Sequence, residues 1–236
     1  MSTRIPSSPR RIRGAPHWEN WLEALPPEAE LAARSLGSPV TNHRTSWVRR
    51  LSTPRGDLFV KTYEYATWAS RLRDAARRTG PCTQSRAARE FDALLWLRMH
   101  QLPAPEPLAV LEVRRLGFLV RATLVSAAFA GERIDELMPR LGLAEREQLA
   151  LAIGKLVRHL HELGFRDRNL DLRNLLAQRV PGGWSIAKID SPRHVLRAPG
   201  NRADALVLAD WARLLPQLER FGVADIARAA GTSSMQ

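Results

Sequence analysis

Hydrophobic residues recur at helical spacing in four segments of the chain. In the clearest case, segment 149–163, the apolar side chains share one face and Gly164 follows as a natural C-terminal stop. Segment 86–100 has the same i, i+3, i+4, i+7 pattern, and two more helices are predicted over 133–141 and 203–221. Three of these four helices lie in the second half of the chain, which is therefore predicted to be mainly helical.

Strands are predicted where short apolar runs are bounded by turn residues. Segments 47–51 and 58–61 flank a turn that contains Gly56 and are typical of a hairpin. The remaining predicted strands are 108–112, 118–125, 175–177 and 184–189. Most of the strands precede most of the helices, so we predict an α+β fold with two lobes, a small antiparallel-sheet N-lobe and a mainly helical C-lobe.

The composition of the chain suggests boundaries for these lobes. Residues 1–16 are polar and rich in Pro and Arg, and we predict that they form a disordered basic arm. The N-lobe, with its sheet and one helix, is assigned to 17–125 and begins with a helical stretch at 18–36 that a pair of prolines interrupts. The C-lobe is assigned to 126–236.

The charge of the chain narrows the classes of partner. The formal net charge is +12, from 33 Arg and only 3 Lys against 24 acidic residues. The Arg excess reflects either the base composition of a genome or an anionic partner, namely a phosphosugar, an anionic lipid surface or a nucleic acid. Two of the three lysines, Lys61 and Lys188, lie in apolar strands. Because the chain uses Arg almost everywhere else, these two positions are candidates for a specific need for the compact charge of Lys.

Three further features of the sequence bear on the cellular location of the protein. The single cysteine, Cys82, excludes an intramolecular disulfide. No run approaches the ~18 apolar residues of a membrane span. The basic N-terminus lacks the apolar core of a secretory signal. A cytoplasmic location is expected.

Several polar residues occur in the order that phosphoryl transfer requires. Such a site needs a Lys for phosphate charge, a carboxylate to orient it, and an Asp with an Asn to hold Mg²⁺. Lys61 ends a strand, and Glu90 borders the apolar face of helix 86–100. The simpler alternatives are a strand-end lysine whose amine reaches solvent and a Glu90 paired with a neighbouring Arg.

The polar loop 165–176 and the strand that follows it resemble a kinase catalytic loop and its metal-binding aspartate. Asn174 and Asp190 are 16 residues apart and separated by a hairpin signal, as in the metal-binding pair of a kinase. Alone, each would be an ordinary turn residue. Downstream, Asp204 and Asp210 are expected to be solvated helix charges, with Asp210 alternatively bracing the loop from below.

With these residues assembled, the chain resembles the lipopolysaccharide kinase (Kdo/WaaP) family, which has a protein-kinase-like fold. The resemblance covers roughly 59–221. Its motifs are Phe59-Val60-Lys61, Glu90, the proline-rich linker 103–107, Leu160-His161-Glu162-Leu163-Gly164-Phe165, Asp171-Leu172-Arg173-Asn174-Leu175-Leu176 and Ile189-Asp190.

The resemblance implies a role for each of these groups. Lys61 would bind the phosphates of ATP and Glu90 would hold Lys61, while Asn174 and Asp190 would ligate Mg²⁺. The nucleotide would lie between the lobes, under the hairpin 47–61 and against the connector that contains Val125 and Ala127. The acceptor would be a sugar hydroxyl on an anionic glycolipid or phosphosugar, reached by peripheral contact with the anionic inner membrane surface.

The chain departs from the family pattern at the catalytic loop. Where the family reads His-Arg-Asp, this chain reads Asp167-Arg168-Asn169, and Asn169 cannot accept a proton. Asp171 or Asp167 could replace the missing base. Alternatively, transfer proceeds slowly without a base, since general-base help is worth about 10²- to 10⁴-fold. In a third alternative, the protein is a pseudokinase that binds a nucleotide or partner without transferring phosphate.

A nucleic-acid binder is the remaining alternative. It explains the Arg excess but leaves the order of Lys61, Glu90, Asn174 and Asp190 unexplained. Aromatic residues make up 6% of the chain and do not alternate with arginines as in a single-strand binding platform, which argues against nucleic acid.

Overall fold

The computed structural model describes residues 10–15, 19, 21, 25–26, 28–76, 83–199 and 204–232. The chain divides into two compact units. The first comprises Met1–Trp96 and Glu106–Ala128, and the second Leu97–Pro105 and Phe129–Gln236. Within the described ranges, no helix is both long and apolar enough to cross a membrane.

The first unit is built on a six-stranded antiparallel sheet with the strand order β1-β5-β6-β4-β3-β2. Its strands are β1 (Arg10–Gly14), β2 (Ser38–Asn42), β3 (Ser46–Thr53), β4 (Gly56–Glu64), β5 (Pro107–Arg115) and β6 (Phe118–Ala127). The unit also contains the helices α1 (Glu28–Leu31) and α2 (Trp68–Ala76) and most of α3 (Arg86–Met99).

One face of this sheet forms an apolar core, which positions the central strand β4. Leu58 and Val60 of β4 pack with Leu108 of β5 and Val125 of β6, and all four are buried. Because side chains alternate along a strand, Lys61 points to the face opposite Val60. The hairpin and the strand pair predicted in this region are confirmed as β3–β4 and β5–β6.

Two predictions near the N-terminus differ from the structure. Arg10–Gly14, predicted to be disordered, pairs antiparallel with β5 as strand β1, and the backbone N–H of Ala15 continues the pairing to Leu108. Residues 1–9 lie outside the described residues. The helical stretch predicted at 18–36 is described as a helix only over Glu28–Leu31, and several of its other residues also lie outside.

The second unit is mainly helical, as predicted. Its long helices are α5 (Leu143–Glu162), α6 (Ala205–Glu219) and α7 (Ala224–Thr232), after the short helix α4 (Ile134–Leu137). Two small sheets complete it, made of β7 (Glu132–Arg133), β9 (Leu175–Val180) and β10 (Gly183–Lys188), and of β8 (Phe165–Arg166) and β11 (Val195–Leu196).

Close packing of helices fixes the core of the second unit. Gly154 on α5 lies so near α7 that an added Cβ would be 2.2 Å from the carbonyl oxygen of Ala227. Gly164 ends the turn after α5 with φ +87, in the left-handed region that favours glycine, as its predicted role as a stop requires. The α+β class and the order of sheet unit and helical unit are therefore confirmed, with α7 as an unpredicted helix.

Candidate active site

In the first unit, the predicted partners Lys61 and Glu90 form an ion pair. Lys61 Nζ lies 2.8 Å from Glu90 Oε2 and 3.1 Å from Oε1, so the carboxylate accepts from one amine with both oxygens. The side chain of Glu90 is 7% exposed and that of Lys61 20% exposed. The α3 helix therefore presents a nearly buried carboxylate that orients a partly accessible amine, as a phosphate-binding lysine requires.

The connector residues Val125 and Ala127 differ in their surroundings. Val125 is fully buried in the sheet core and lies opposite Val60 in the strand pairing. Ala127, at the end of β6, is half-buried, and its backbone N–H donates to the carbonyl of Glu106 at 2.8 Å. Because the side chain of Val125 is taken up by the core, Ala127 is the more accessible of the two.

In the second unit, the predicted metal-binding residues Asn174 and Asp190 are linked through Asn169. The side-chain amide of Asn169 donates to the carbonyl oxygen of Asp190 at 2.9 Å and to its carboxylate Oδ2 at 3.1 Å. Asn174 Nδ2 in turn donates to the carbonyl of Asn169 at 2.9 Å, and the N–H of Ile189 donates to the carbonyl of Asn174 at 3.0 Å. The loop and the end of the following strand are thus tied into one polar network.

Two residues of this network region have unusual backbone conformations. Arg168 and Asp190 both have φ +57, in the left-handed region that non-glycine residues seldom adopt. Such a conformation costs of order 1–3 kcal/mol and persists only where surrounding contacts impose it. At Asp190 the hydrogen bonds from Asn169 are among those contacts.

At Arg168 the contact comes from Asp210 on α6. The carboxylate of Asp210 is 1% exposed and accepts from the N–H of Arg168 at 2.8 Å and from that of Asp167 at 3.1 Å. It also lies 3.2 Å from Nε2 of the buried His161. Asp210 therefore holds the loop through two backbone N–H groups. This agrees with the alternative prediction that Asp210 braces the loop, and not with the prediction of a solvated charge.

The side chain of Asp167 is removed from solvent and paired with a buried lysine. Its Oδ2 lies 3.2 Å from Nζ of Lys188, and the two side chains are 1% and 0% exposed. Lys188 Nζ also donates to the carbonyl of Ile189. Burial raises the pKa of Asp167, and the charge of Lys188 opposes that shift. This carboxylate is therefore placed to join the loop to β10 rather than to meet a substrate.

Asp171, the other predicted substitute base, is engaged by arginines. It caps the one-turn 3-10 helix Leu172–Asn174, with the N–H of Arg173 3.4 Å from Oδ1. Its Oδ2 lies 3.3 Å from Nη2 of Arg213 and 3.3 Å from Nε of Arg173. A substrate hydroxyl that used Oδ2 of Asp171 would have to share that oxygen with these guanidinium groups, whereas Oδ1 faces only the backbone N–H of Arg173 among the described residues.

The donor set of the second unit fits a hard cation. Magnesium prefers carboxylate and amide oxygens and keeps much of its shell for water and substrate phosphates. Because Nδ2 of Asn174 donates to Asn169, the Oδ1 atom of Asn174 is the one that could serve as a ligand, in addition to the carboxylate of Asp190. Among the described residues there is no group of three or more His, Cys, Asp or Glu side chains that could hold a metal ion. A Mg²⁺ at Asn174 and Asp190 would thus need further oxygens from phosphate and water.

Comparisons with known proteins identify the family. The profile of the lipopolysaccharide kinase (Kdo/WaaP) family matches residues 32–229, well over half of the chain. The chain belongs to this family. The match begins nearer the N-terminus than the motif resemblance indicated. No curated protein matches the chain in sequence.

The family assignment agrees with a structural likeness. A solved structure described as "WaaP in complex with acyl carrier protein" is similar to this chain with a TM-score of 0.61 and 15% sequence identity. The likeness covers 94% of this chain and 88% of that chain. At this identity it establishes the fold alone, which is the two-lobed protein-kinase-like fold predicted from the sequence.

Two charge pairs of this family member had no counterpart among the predicted contacts. The Asp167–Lys188 pair was not foreseen, although the scarcity of lysine had singled out Lys188. Arg166 is fully buried and donates to the carbonyl of His161 at 2.8 Å, with its Nε 3.3 Å from Asp204 Oδ2. Asp204, predicted to be a solvated helix charge, is half-buried and in addition caps α6, because its Oδ1 accepts from the N–H of Leu206 at 2.9 Å.

Proposed function

We propose that this protein is an ATP-dependent phosphotransferase that phosphorylates a sugar hydroxyl of the lipopolysaccharide core type. The acceptor is an acidic glycolipid, and the reaction takes place at the cytoplasmic face of the inner membrane. The observation that carries the proposal is the Asn169–Asn174–Asp190 network, which joins two oxygen ligands for a hard cation in one loop system. Membership of a lipopolysaccharide kinase family supports the choice of acceptor class.

Each part of the proposed site has one task. Lys61, oriented by Glu90, neutralises phosphate charge on ATP. Asn174 and Asp190 hold Mg²⁺, which supplies charge stabilisation for the phosphate oxygens when it is bound. Ala127 borders the nucleotide base. Asp210 positions the loop through the N–H groups of Asp167 and Arg168 and does not itself touch substrate.

The absence of a base at position 169 shapes the proposed chemistry. The bond between the γ-phosphorus and the bridging oxygen of ADP breaks while a bond to the sugar oxygen forms, and the hydroxyl proton leaves to water or to the transferred phosphoryl group. Because this transition state is loose, the proton can leave late, and most of the catalysis comes from positioning and charge. The Asn169 amide orients Asp190, and the expected cost of the missing base is a slow turnover.

A catalytically impaired nucleotide-binding protein is the second candidate function. The observation in its favour is that both substitute carboxylates are occupied, Asp167 by Lys188 and Asp171 by Arg173 and Arg213. In that case the network serves nucleotide binding alone.

One set of measurements separates the two functions. Thermal shift with ATP, with and without Mg²⁺, reports binding, and ADP release with an acidic lipooligosaccharide acceptor reports transfer. The kinase shows Mg²⁺-dependent stabilisation and acceptor-dependent ADP release, and Lys61→Met abolishes both. Binding without acceptor-dependent release assigns the second function, and the absence of Mg²⁺-dependent ATP binding would contradict both.

Asn169→Asp tests the loop assignment. The substituted carboxylate would lie about 3 Å from Oδ2 of Asp190, judged from the present contact, so the variant should be less stable without Mg²⁺ and recover with it. Its turnover should rise by about 10²-fold or more. Asn42→Asp, which makes the same charge change at an exposed position in β2, should alter neither property. An Asn169→Asp protein that folds but gains no turnover and no Mg²⁺ dependence would refute the assignment.

A further inference from the structure

The first unit carries an exposed apolar patch that contains none of the proposed site residues. Trp68 and Leu72 on α2 are 46% and 55% exposed, and Leu116 at the β5–β6 turn is 78% exposed. Of the large hydrophobic side chains described as exposed in this unit, only Val40 lies elsewhere, on the edge strand β2. We call Trp68, Leu72 and Leu116, with the half-buried Phe118, the Trp68 patch.

Packing holds the aromatic part of this patch in place. The ring of Trp68 meets that of Phe118 edge-on, with centroids 5.7 Å apart, and the guanidinium of Arg71 lies 5.0 Å from the Trp68 ring. Arg71 is itself fixed by bonds from Nε to the carbonyl of Tyr65 at 2.9 Å and from Nη2 to that of Ala66 at 3.2 Å. Trp68 is therefore a rigid aromatic anchor, and Leu72, one helical turn further along α2, shares its face.

Leu116 is unusual for its position in the chain. The β5–β6 hairpin pairs Arg115 with Phe118, so Leu116 and Gly117 are the two residues of the turn, with φ of +51 and +80. Turns with positive φ at both central residues favour Asn-Gly or Asp-Gly, and a leucine there is strained. A strained residue that is also exposed is not explained by folding and points to a function.

The surroundings of the patch are basic. Arg73 on α2 and Arg115 beside the turn are exposed, and neither forms an ion pair with a residue in the described part of the chain. In sequence, 66–78 contains four Arg against one Asp, and 112–121 contains three Arg against one Glu. A surface that combines exposed apolar side chains with arginines that lack an ion pair among the described residues suits a partner that is negative outside and apolar beneath.

We propose that the Trp68 patch docks the protein onto an anionic lipid bilayer. Leu116 and Leu72 would enter the boundary between headgroups and acyl chains, Trp68 would lie at the headgroup level, and Arg73 and Arg115 would meet lipid phosphates. This inference does not depend on phosphoryl transfer, because it uses none of the residues of the proposed active site.

The observations favour a bilayer over other anionic or apolar partners. Two copies joined symmetrically through this patch would bring the same arginines against each other, which repels. A nucleic acid would meet the arginines, but it has no apolar interior to receive two projecting leucines. Only the bilayer matches both the charge and the apolar tip.

Sedimentation with vesicles tests the proposal on the 236-residue chain. Vesicles of equimolar phosphatidylglycerol and phosphatidylcholine should bind it, and vesicles of phosphatidylcholine alone should bind it far more weakly. Leu116→Asn should weaken binding about tenfold, since a buried leucine side chain is lost from the interface. Arg115→Gln should weaken binding about fivefold on the anionic vesicles alone.

Leu116→Asn also separates docking from folding. Asn tolerates the left-handed conformation, so this variant should unfold at the same temperature as the wild type or higher while it loses vesicle binding. Leu208→Asn and Arg228→Gln, at exposed positions on α6 and α7, are the matched controls and should bind vesicles like the wild type.

Four results would overturn the proposal. They are unchanged vesicle binding by Leu116→Asn, equal binding to neutral and anionic vesicles, a Leu116-dependent dimer in light scattering, and a labelled DNA duplex that competes fully with the vesicles at the same salt concentration.

Discussion

The buried pair of Asp167 and Lys188 can be broken from one side by Lys188→Met. Methionine has a similar length and is apolar, so the variant removes the charge while keeping most of the packing. What remains is a carboxylate that is 1% exposed and has lost the cation 3.2 Å from it. The loop that carries Asn169 should then be destabilised together with the second unit.

The size of the effect follows from the two ways in which the protein can respond. If Asp167 stays charged, an unpaired buried ion costs about 3–5 kcal/mol. If it takes up a proton at pH 7 instead, the cost is at most about 4 kcal/mol, from the ordinary pKa of 3.8 and about 1.36 kcal/mol per pH unit, because the pKa of Asp167 in the wild type is already raised above 3.8. The expected loss is therefore about 3–4 kcal/mol, or roughly 6–16 °C in melting temperature for a chain of this size.

Urea unfolding followed by circular dichroism measures this loss, and its pH dependence identifies the cause. In the variant, burial raises the folded-state pKa of Asp167 with no cation to oppose it. The contribution of protonated Asp167 to the stability of the variant is then fully present below pH 3.8 and is lost as the pH rises through the raised pKa. The deficit relative to wild type should therefore shrink between pH 7 and pH 5, by up to about 2.7 kcal/mol.

Two variants control this experiment. Lys155→Met removes an exposed lysine and should cost no more than about 0.5 kcal/mol. Asp167→Asn combined with Lys188→Met removes both charges of this pair and should recover most of the stability. A deficit below about 1 kcal/mol for Lys188→Met, or one that does not change with pH, would refute the reasoning.

Two further predictions concern other parts of the fold. Burial alone would raise the pKa of Glu112, but hydrogen bonds from Ser85 and the charge of Arg114 outweigh it, so the pKa lies below 4.5. The contribution of ionised Glu112 to stability is present above pH 4.5 and is lost as the pH falls through the lowered pKa. In Glu112→Gln, the free energy of unfolding in urea should therefore fall less steeply as the pH is lowered below 4.5. The same decrease with pH in variant and wild type would contradict this. Gly154→Ala would press a Cβ to 2.2 Å from the carbonyl oxygen of Ala227 and should cost about 1–3 kcal/mol in thermal unfolding, and an unaltered melting temperature contradicts it.

Local patterns in the sequence were sufficient for most of the elements. The helical spacing over 149–163 corresponds to α5, and the apolar runs around Gly56 correspond to β3 and β4. The Lys61–Glu90 contact was predicted from the order of residues in a kinase site once the downstream loop was considered, because each charge alone was also compatible with solvent or with a neighbouring Arg.

Other features had no local signature. The strand Arg10–Gly14 is polar and basic, so its composition indicated disorder, and its order comes from the edge of β5. The roles of Asp210, as a brace, and of Asp204, as a cap, depend on where α6 begins relative to the loop. A carboxylate in a helix has the same appearance in sequence whether it faces water or a backbone N–H.

The amino-acid sequence by itself determined which chemical groups the chain offers and the order in which they come. Hydrophobic periodicity is a pattern within a few neighbouring residues, so it can be recognised from the sequence alone. The tertiary structure decided which charges meet and which are buried, as with Asp167 and Lys188, because such pairs lie far apart in the chain. Burial in turn determines how much free energy a charged side chain costs and whether that side chain is protonated, since the energy of an ion depends on the solvent that folding removes and the partners that it brings.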